Sequence, residues 1–227
     1  MTGVVGTGEL ESARVTRTLR DDILLGHRVP GSRLVERDIA AELKVSRLPV
    51  REAIRALVGE GIVVSRPRSW AVVREFSMSD IQEFAEVRES IETLIFVFAA
   101  ERHDEAGLAR LRDALDRETA AAQVGDDAAA NIASGDFHQI AADLAGNEML
   151  NELIGVFATR LRWLFGQHDD LVAMAEEHRV LFDAMAARDT DALRELVPRH
   201  LASGREAAEV RLQRRAAPRS DLHGVGE

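Results

Sequence analysis

Ser46-Arg47-Leu48-Pro49-Val50-Arg51-Glu52-Ala53-Ile54-Arg55-Ala56-Leu57 decides how this chain is read. Val50, Ile54, Leu57 and Val58 recur at helical spacing and make one apolar stripe. Ser46 has the chemistry of an N-cap, a hydroxyl able to accept a free backbone N–H of the first turn. Pro49 falls inside that turn, where a missing N–H costs little. Arg47, Arg51 and Arg55 lie at i, i+4 and i+8 on a different face. Three guanidinium groups in a row repel one another unless something anionic meets them. Their fork fits phosphate oxygens or the O6/N7 edge of guanine. Such a helix suits the DNA major groove, although taken alone it is more commonly a solvated basic face.

The residues before it change that reading. Glu36-Arg37-Asp38-Ile39-Ala40-Ala41-Glu42-Leu43-Lys44-Val45 predict a second short helix and a tight turn. Ile39, Leu43, Val45, Val50 and Ala53 have the spacing that locks two helices at a steep angle, with Ala40 as the small residue at the crossing. That is a helix-turn-helix with Ser46 opening the recognition helix. Arg47 and Arg51 are then placed to meet base edges, Ser46 and Arg37 to anchor phosphates, with Pro49 beside them in the first turn.

Working outward, Leu10 to Leu25 predicts a preceding helix through Val15, Leu19, Ile23 and Leu24, stopped by Gly26. Pro30-Gly31 turns into a short strand at Arg33-Leu34. Past Gly61, Ile62-Val63-Val64-Ser65 and Ala71-Val72-Val73 predict two strands flanking Arg66-Pro67-Arg68-Ser69-Trp70. That hairpin is a wing whose Arg66 and Arg68 reach the DNA backbone or minor groove.

Val29 to Ala40, Val45 to Arg55, Leu57 and Glu60-Gly61-Ile62-Val63 resemble the winged-helix domain of GntR-type bacterial transcription regulators, nearly continuously from Leu19 to Val73. The resemblance implies a double-stranded DNA operator as partner. Leu48 departs from the hydroxyl residue common there, which leaves it apolar contact with a thymine methyl. Trp70 stands where the family usually has Gly, so it is expected to pack on the recognition helix in place of the usual wing-tip geometry.

The totals are compatible with this. At 227 residues the chain holds one large or two modest domains, and 46% hydrophobic residues with 4% aromatics and no Tyr favour aliphatic helical packing over a β-sandwich. The absence of Cys excludes disulfides and thiolate metal sites. Leu94 to Ala100, the longest strongly apolar run, is far short of the ~20 residues that span a bilayer, and Met1–Gly8 lacks the features of a signal peptide. A cytoplasmic protein with no membrane partner is expected. Net charge of −10 divides unevenly: residues 1–76 hold 13 basic and 10 acidic residues, the remainder 16 and 29. A mildly basic DNA-reading part is joined to an acidic body.

From Asp80 to about Arg215 nearly every segment has helical periodicity, with helices expected at 79–102, 104–123, 126–145, 148–166, 170–188 and 190–213. Ser77 or Ser79 caps the first and Asp189-Thr190-Asp191 the last; Asn147 reads as a cap, and the stripe Leu150, Leu153, Ile154, Phe157, Leu161, Leu164 says bundle. The expected fold is mainly α: a winged helix-turn-helix over 9–76, an all-α effector-binding and dimerisation domain over 77–215, and disordered tails at 1–8 and 216–227.

His138, His178 and His200 stand out by context, although a lone helical His is usually a surface or satisfied half-buried residue. Phe137-His138 through Leu150, His178 to Ala184, Arg188 to Ala192 and His200-Leu201 resemble the FCD-type effector domain of the FadR branch of GntR regulators. That resemblance implies an all-α bundle binding a divalent metal through one Asp and three His. The three histidines match, and neutral imidazoles suit Zn²⁺ or Ni²⁺ with a position open for a ligand oxygen. The Asp does not match: Ser134 stands there, and Asp136 points elsewhere on a helix. Arg88 matches an Arg that implies contact with a small carboxylate effector. An i,i+4 ion pair with Glu92, or a solvated surface position, reads Arg88 as well.

The reading is a ligand-responsive DNA-binding regulator, a repressor acting as a homodimer on an inverted repeat. A constitutive DNA binder that has lost its effector site and a three-histidine metal-dependent enzyme are the alternatives, the latter lacking an evident general base.

Overall fold

The computed structural model describes residues 10–65, 70–166 and 170–216. The expected arm at 1–8, all but the first residue of the expected tail at 216–227, and wing residues Arg66 and Arg68 lie outside the described residues. The chain divides into two compact units: Met1–Glu75 with Val156–Arg160, and Phe76–Gly155 with Leu161–Glu227.

The first unit contains α1 (Glu11–Leu24), β1 (Arg33–Leu34), α2 (Glu36–Leu43), α3 (Arg47–Gly59), β2 (Val63–Ser65) and β3 (Ala71–Val73). Val15, Leu19 and Ile23 form the fully buried stripe of α1, which packs on α3, where Val50, Ala53 and Leu57 are likewise fully buried. The turn between α2 and α3 is tightened at Lys44, whose φ of 55° is left-handed, and the Val45 N–H returns to the Ala40 carbonyl at 3.0 Å. The strands form an antiparallel sheet in the order β1-β3-β2, with Arg33 opposite Val72 and Val64 opposite Val72.

At Ser46 and Trp70 the local structure departs from expectation. Ser46 occupies the N-cap position of α3 with extended backbone, but its hydroxyl makes no capping hydrogen bond. The favoured donor three residues on is Pro49, which has no N–H to give. The partner observed for Trp70 lies on β1 rather than on the recognition helix. Trp70 is 44% exposed, and the Arg33 guanidinium lies 3.8 Å from its ring centroid, because the sheet sets β1 beside β3.

The second unit is helical among its described residues: α4 (Met78–Arg102), α5 (Glu105–Val124), α6 (Asp127–Leu144), α7 (Glu148–Phe165, apart from Val156–Arg160, which belongs to the first unit), α8 (Leu171–Ala186) and α9 (Thr190–Ala216). Caps explain the starts. Ser77 and Asp80 form a capping box on α4, while Asp104, Asp126, Asn147 and Asp170 each accept an N–H of the following first turn. The Asp189 carboxylate accepts from the Ala192 N–H at the start of α9. The C-terminus of α4 is closed by Arg188, whose guanidinium donates to the carbonyls of Ala100, Glu101 and His103. α4 lies along α9 and α6, α5 along α6 and α8, and α8 along α9. Phe96, Leu111, Phe137, Leu181, Met185, Leu193 and Val197 fill the space between them. The α7 stripe is only partly covered, with Leu150, Leu161 and Leu164 buried and Leu153 exposed. α9 runs to Ala216, three residues beyond the expected end at 213 and into the first residue of the expected tail. Among the described residues no helix is long and apolar enough to cross a membrane.

Candidate DNA-reading face and metal centre

The N-terminal end of α3 carries the basic face. Arg47 and Arg51 are both largely exposed, and both reach one carboxylate, that of Glu36 at the start of α2. Arg51 donates from Nε and Nη2 to its two oxygens at 3.0 Å each, and Arg47 donates from Nη2 at 3.2 Å. The Arg51 hydrogen bonds, helped by Arg47, hold the Glu36 carboxyl below its ordinary range. Leu48 projects with 62% of its surface exposed, as an apolar contact with a base methyl requires. Arg37 is exposed and donates to its neighbour Asp38 at 2.9 Å. Pro49 is buried among the apolar side chains of α3, so it supports the face and offers little surface to DNA.

In the second unit α6, α8 and α9 bring His138, His178 and His200 together. Their Nε2 atoms form a triangle with sides of 3.2, 3.2 and 3.4 Å. Three nitrogens bound tetrahedrally at about 2.0–2.1 Å from one metal ion would stand about 3.3–3.4 Å apart. Each opposite nitrogen faces a carboxylate. His178 Nδ1 lies 2.7 and 2.9 Å from the two Glu118 oxygens, His200 Nδ1 lies 2.8 Å from Glu177, and His138 Nδ1 approaches Glu92 at 2.8 Å without the alignment of a regular hydrogen bond. An Nδ1 proton held by a carboxylate makes Nε2 the bare nitrogen. Where the third Nδ1, that of His138 beside Glu92, also carries its proton, the three Nε2 lone pairs have no donor among them, and a cation at their centre satisfies all three. Burial pushes the His178 pKa down, toward the neutral imidazole that ligates metals, against the opposing pull of Glu118. These three histidines can hold a metal ion.

Ser134 is buried on α6, one turn before His138. Asp136 faces away: it is exposed and takes a hydrogen bond from Arg117 at 3.0 Å. Arg88 is buried and occupied, its Nε donating to Glu92 at 2.5 Å, with its guanidinium 5.2 Å from the Phe165 ring. The i,i+4 pair that the sequence allows Arg88 is present, and the solvated position is not. Sequence reasoning missed Glu36, Glu118 and Glu177 as partners. Glu177 adjoins His178 in sequence yet serves His200.

Residues 83–203 match the FCD domain, and residues 11–73 match the family described as bacterial regulatory proteins, gntR family. The chain belongs to the GntR family. This GntR-family regulator is 30% identical over 187 residues to the HTH-type transcriptional regulator LutR of Bacillus subtilis (strain 168), covering 71% of its own chain and 84% of that relative. It is 28% identical over 192 residues to the HTH-type transcriptional repressor RspR of Escherichia coli (strain K12), covering 83% and 84% of the two chains. Among solved structures, a putative GntR transcriptional regulator from Rhodococcus sp. RHA1 shares 30% identity at a TM-score of 0.72, over 92% of this chain and 99% of the other. The family consists of DNA-binding regulators of transcription, and the three-histidine enzyme reading gives way to it.

Proposed function

We propose that this GntR-family regulator is a cytoplasmic repressor that binds an inverted-repeat operator as a homodimer and releases it when a small carboxylate reaches the second unit. The division of labour follows the expected boundary, DNA reading over 9–76 and effector binding with dimerisation over 77–215. The observation that carries the reading is the exposed pair of guanidinium forks, Arg47 and Arg51, at the entry of α3. Forks on the leading turns of a recognition helix meet base edges, each bidentate contact contributing roughly 1–3 kcal/mol of discrimination. Arg68 in the wing and Arg37 serve the backbone, which adds affinity without sequence choice. The test is an Arg47→Ala, Arg51→Ala double variant assayed against operator and unrelated duplex at one salt concentration. Discrimination is expected to disappear while weak, salt-sensitive binding remains; retained discrimination sinks the assignment.

The metal proposed at His138, His178 and His200 is Zn²⁺ or Ni²⁺, which would supply an open coordination position for an effector oxygen. Arg88 would meet the effector carboxylate by exchanging it for Glu92. Coupling of about 1–3 kcal/mol between that site and the DNA-reading unit suffices for release. Metal content of protein purified without affinity tag or chelator tests the centre: near-stoichiometric metal is expected, and a His178→Ala, His200→Ala variant should lose it. Ser134 in place of a carboxylate favours a second reading, a constitutive binder whose centre is empty of metal in both proteins.

A further inference from the structure

Each imidazole of the centre is backed by a carboxylate from a different helix: Glu92 of α4 behind His138 of α6, Glu118 of α5 behind His178 of α8, and Glu177 of α8 behind His200 of α9. We propose that Glu118, with Glu92 and Glu177, forms an outer carboxylate ring that orients the three imidazoles and supplies, from behind them, the negative charge that Ser134 does not supply as a direct ligand. This inference rests on the metal reading above.

Glu118 is the strongest member. Its side chain is 2% exposed and that of His178 is 0% exposed. Both Glu118 oxygens lie within hydrogen-bond reach of one Nδ1, and among the described residues this carboxylate has no other hydrogen-bond or ion-pair partner. A buried anion whose one partner is a neutral ring is poorly compensated. A cation on the far nitrogen of that ring compensates it through the imidazole. The charges of the whole ring point the same way. Arg88 offsets Glu92, leaving the two negative charges of Glu118 and Glu177, which one divalent cation balances. Glu177 is half-buried and is steadied by the Ser203 hydroxyl at 2.9 Å. The ring therefore performs two physical tasks. It fixes which nitrogen of each imidazole faces the centre, and it makes that nitrogen a better donor to a metal.

The experiment uses the full chain stripped with chelator and titrated with Zn²⁺ and with Co²⁺ as a spectroscopic probe. Glu118→Gln preserves shape and an acceptor oxygen while removing the charge. It is expected to bind metal roughly 10- to 100-fold more weakly than the parent, with unchanged helical circular dichroism and an altered visible spectrum of bound Co²⁺. A purely packing role would lower the melting temperature of the metal-free protein and leave that spectrum alone. Glu177→Gln, at the more exposed position, carries the same expectation in a smaller degree and decides the matter if Glu118→Gln does not fold. Equal affinity and equal spectra in parent and folded variants overturn the ring while leaving the metal reading intact. A parent chain that binds neither ion removes the metal reading, and the ring with it.

Discussion

The carboxylate of Glu36 takes hydrogen bonds from both Arg47 and Arg51, so one residue sets the spacing of two forks before DNA arrives. Pre-orientation of this kind lowers the ordering cost of binding, and a carboxylate at a phosphate-lined groove also repels non-specific contact. Glu36→Gln should therefore bind unrelated DNA more tightly and separate operator from unrelated duplex about 10-fold less well, at fixed salt. An unchanged ratio would reduce Glu36 to a bystander. Residue chemistry was legible in the sequence where a single helix face displays it, as at Arg47 and Arg51. It was not legible where it depends on pairing across the fold. Glu36 and Arg51 are 15 residues apart and Glu118 and His178 are 60 apart, and no local pattern relates either pair.

Within α4, Arg88 and Glu92 form a buried i,i+4 pair whose second carboxylate oxygen approaches His138. Removing one partner strands a buried charge, so Arg88→Ala should destabilise the second unit by about 3–5 kcal/mol in denaturant melts. Burial alone would raise the Glu92 pKa, but the Arg88 charge, with the contacts that Arg88 and His138 make to the carboxylate, more than offsets this and holds it below its ordinary 4.5. A folded-state pKa below the unfolded one stabilises fully above about pH 4.5 and progressively less as the pH falls from there. Glu92→Gln should thus flatten the acid limb of the stability profile; a limb as steep as the parent's would deny the pair that role. Helices themselves were readable because caps and apolar periodicity are local, as the Ser77–Asp80 box and the Asp104, Asp126 and Asp189 caps illustrate. The Ser46 cap failed where two local rules compete for one turn, the proline at its third position removing the donor the hydroxyl would use.

For the molecule as a whole, a ligand that binds only the folded state raises stability by mass action. At free metal about 100-fold above its dissociation constant the gain is about 2.7 kcal/mol. Adding chelator should accordingly lower the melting temperature of the parent chain and leave the His178→Ala, His200→Ala variant unmoved. Equal melting with and without chelator would contradict a resident metal. The ring and its ligands are drawn from α4, α5, α6, α8 and α9, with partners separated by 23 to 60 residues. Closing loops of that length brings little return until the helices have docked. Order of assembly follows from this geometry: the pocket does not exist in a partly made chain, and α9, synthesised last among these helices, brings the final imidazole. A metal held there would then be acquired late, by a bundle that had already folded, and any response routed through it would mature after the capacity to read DNA.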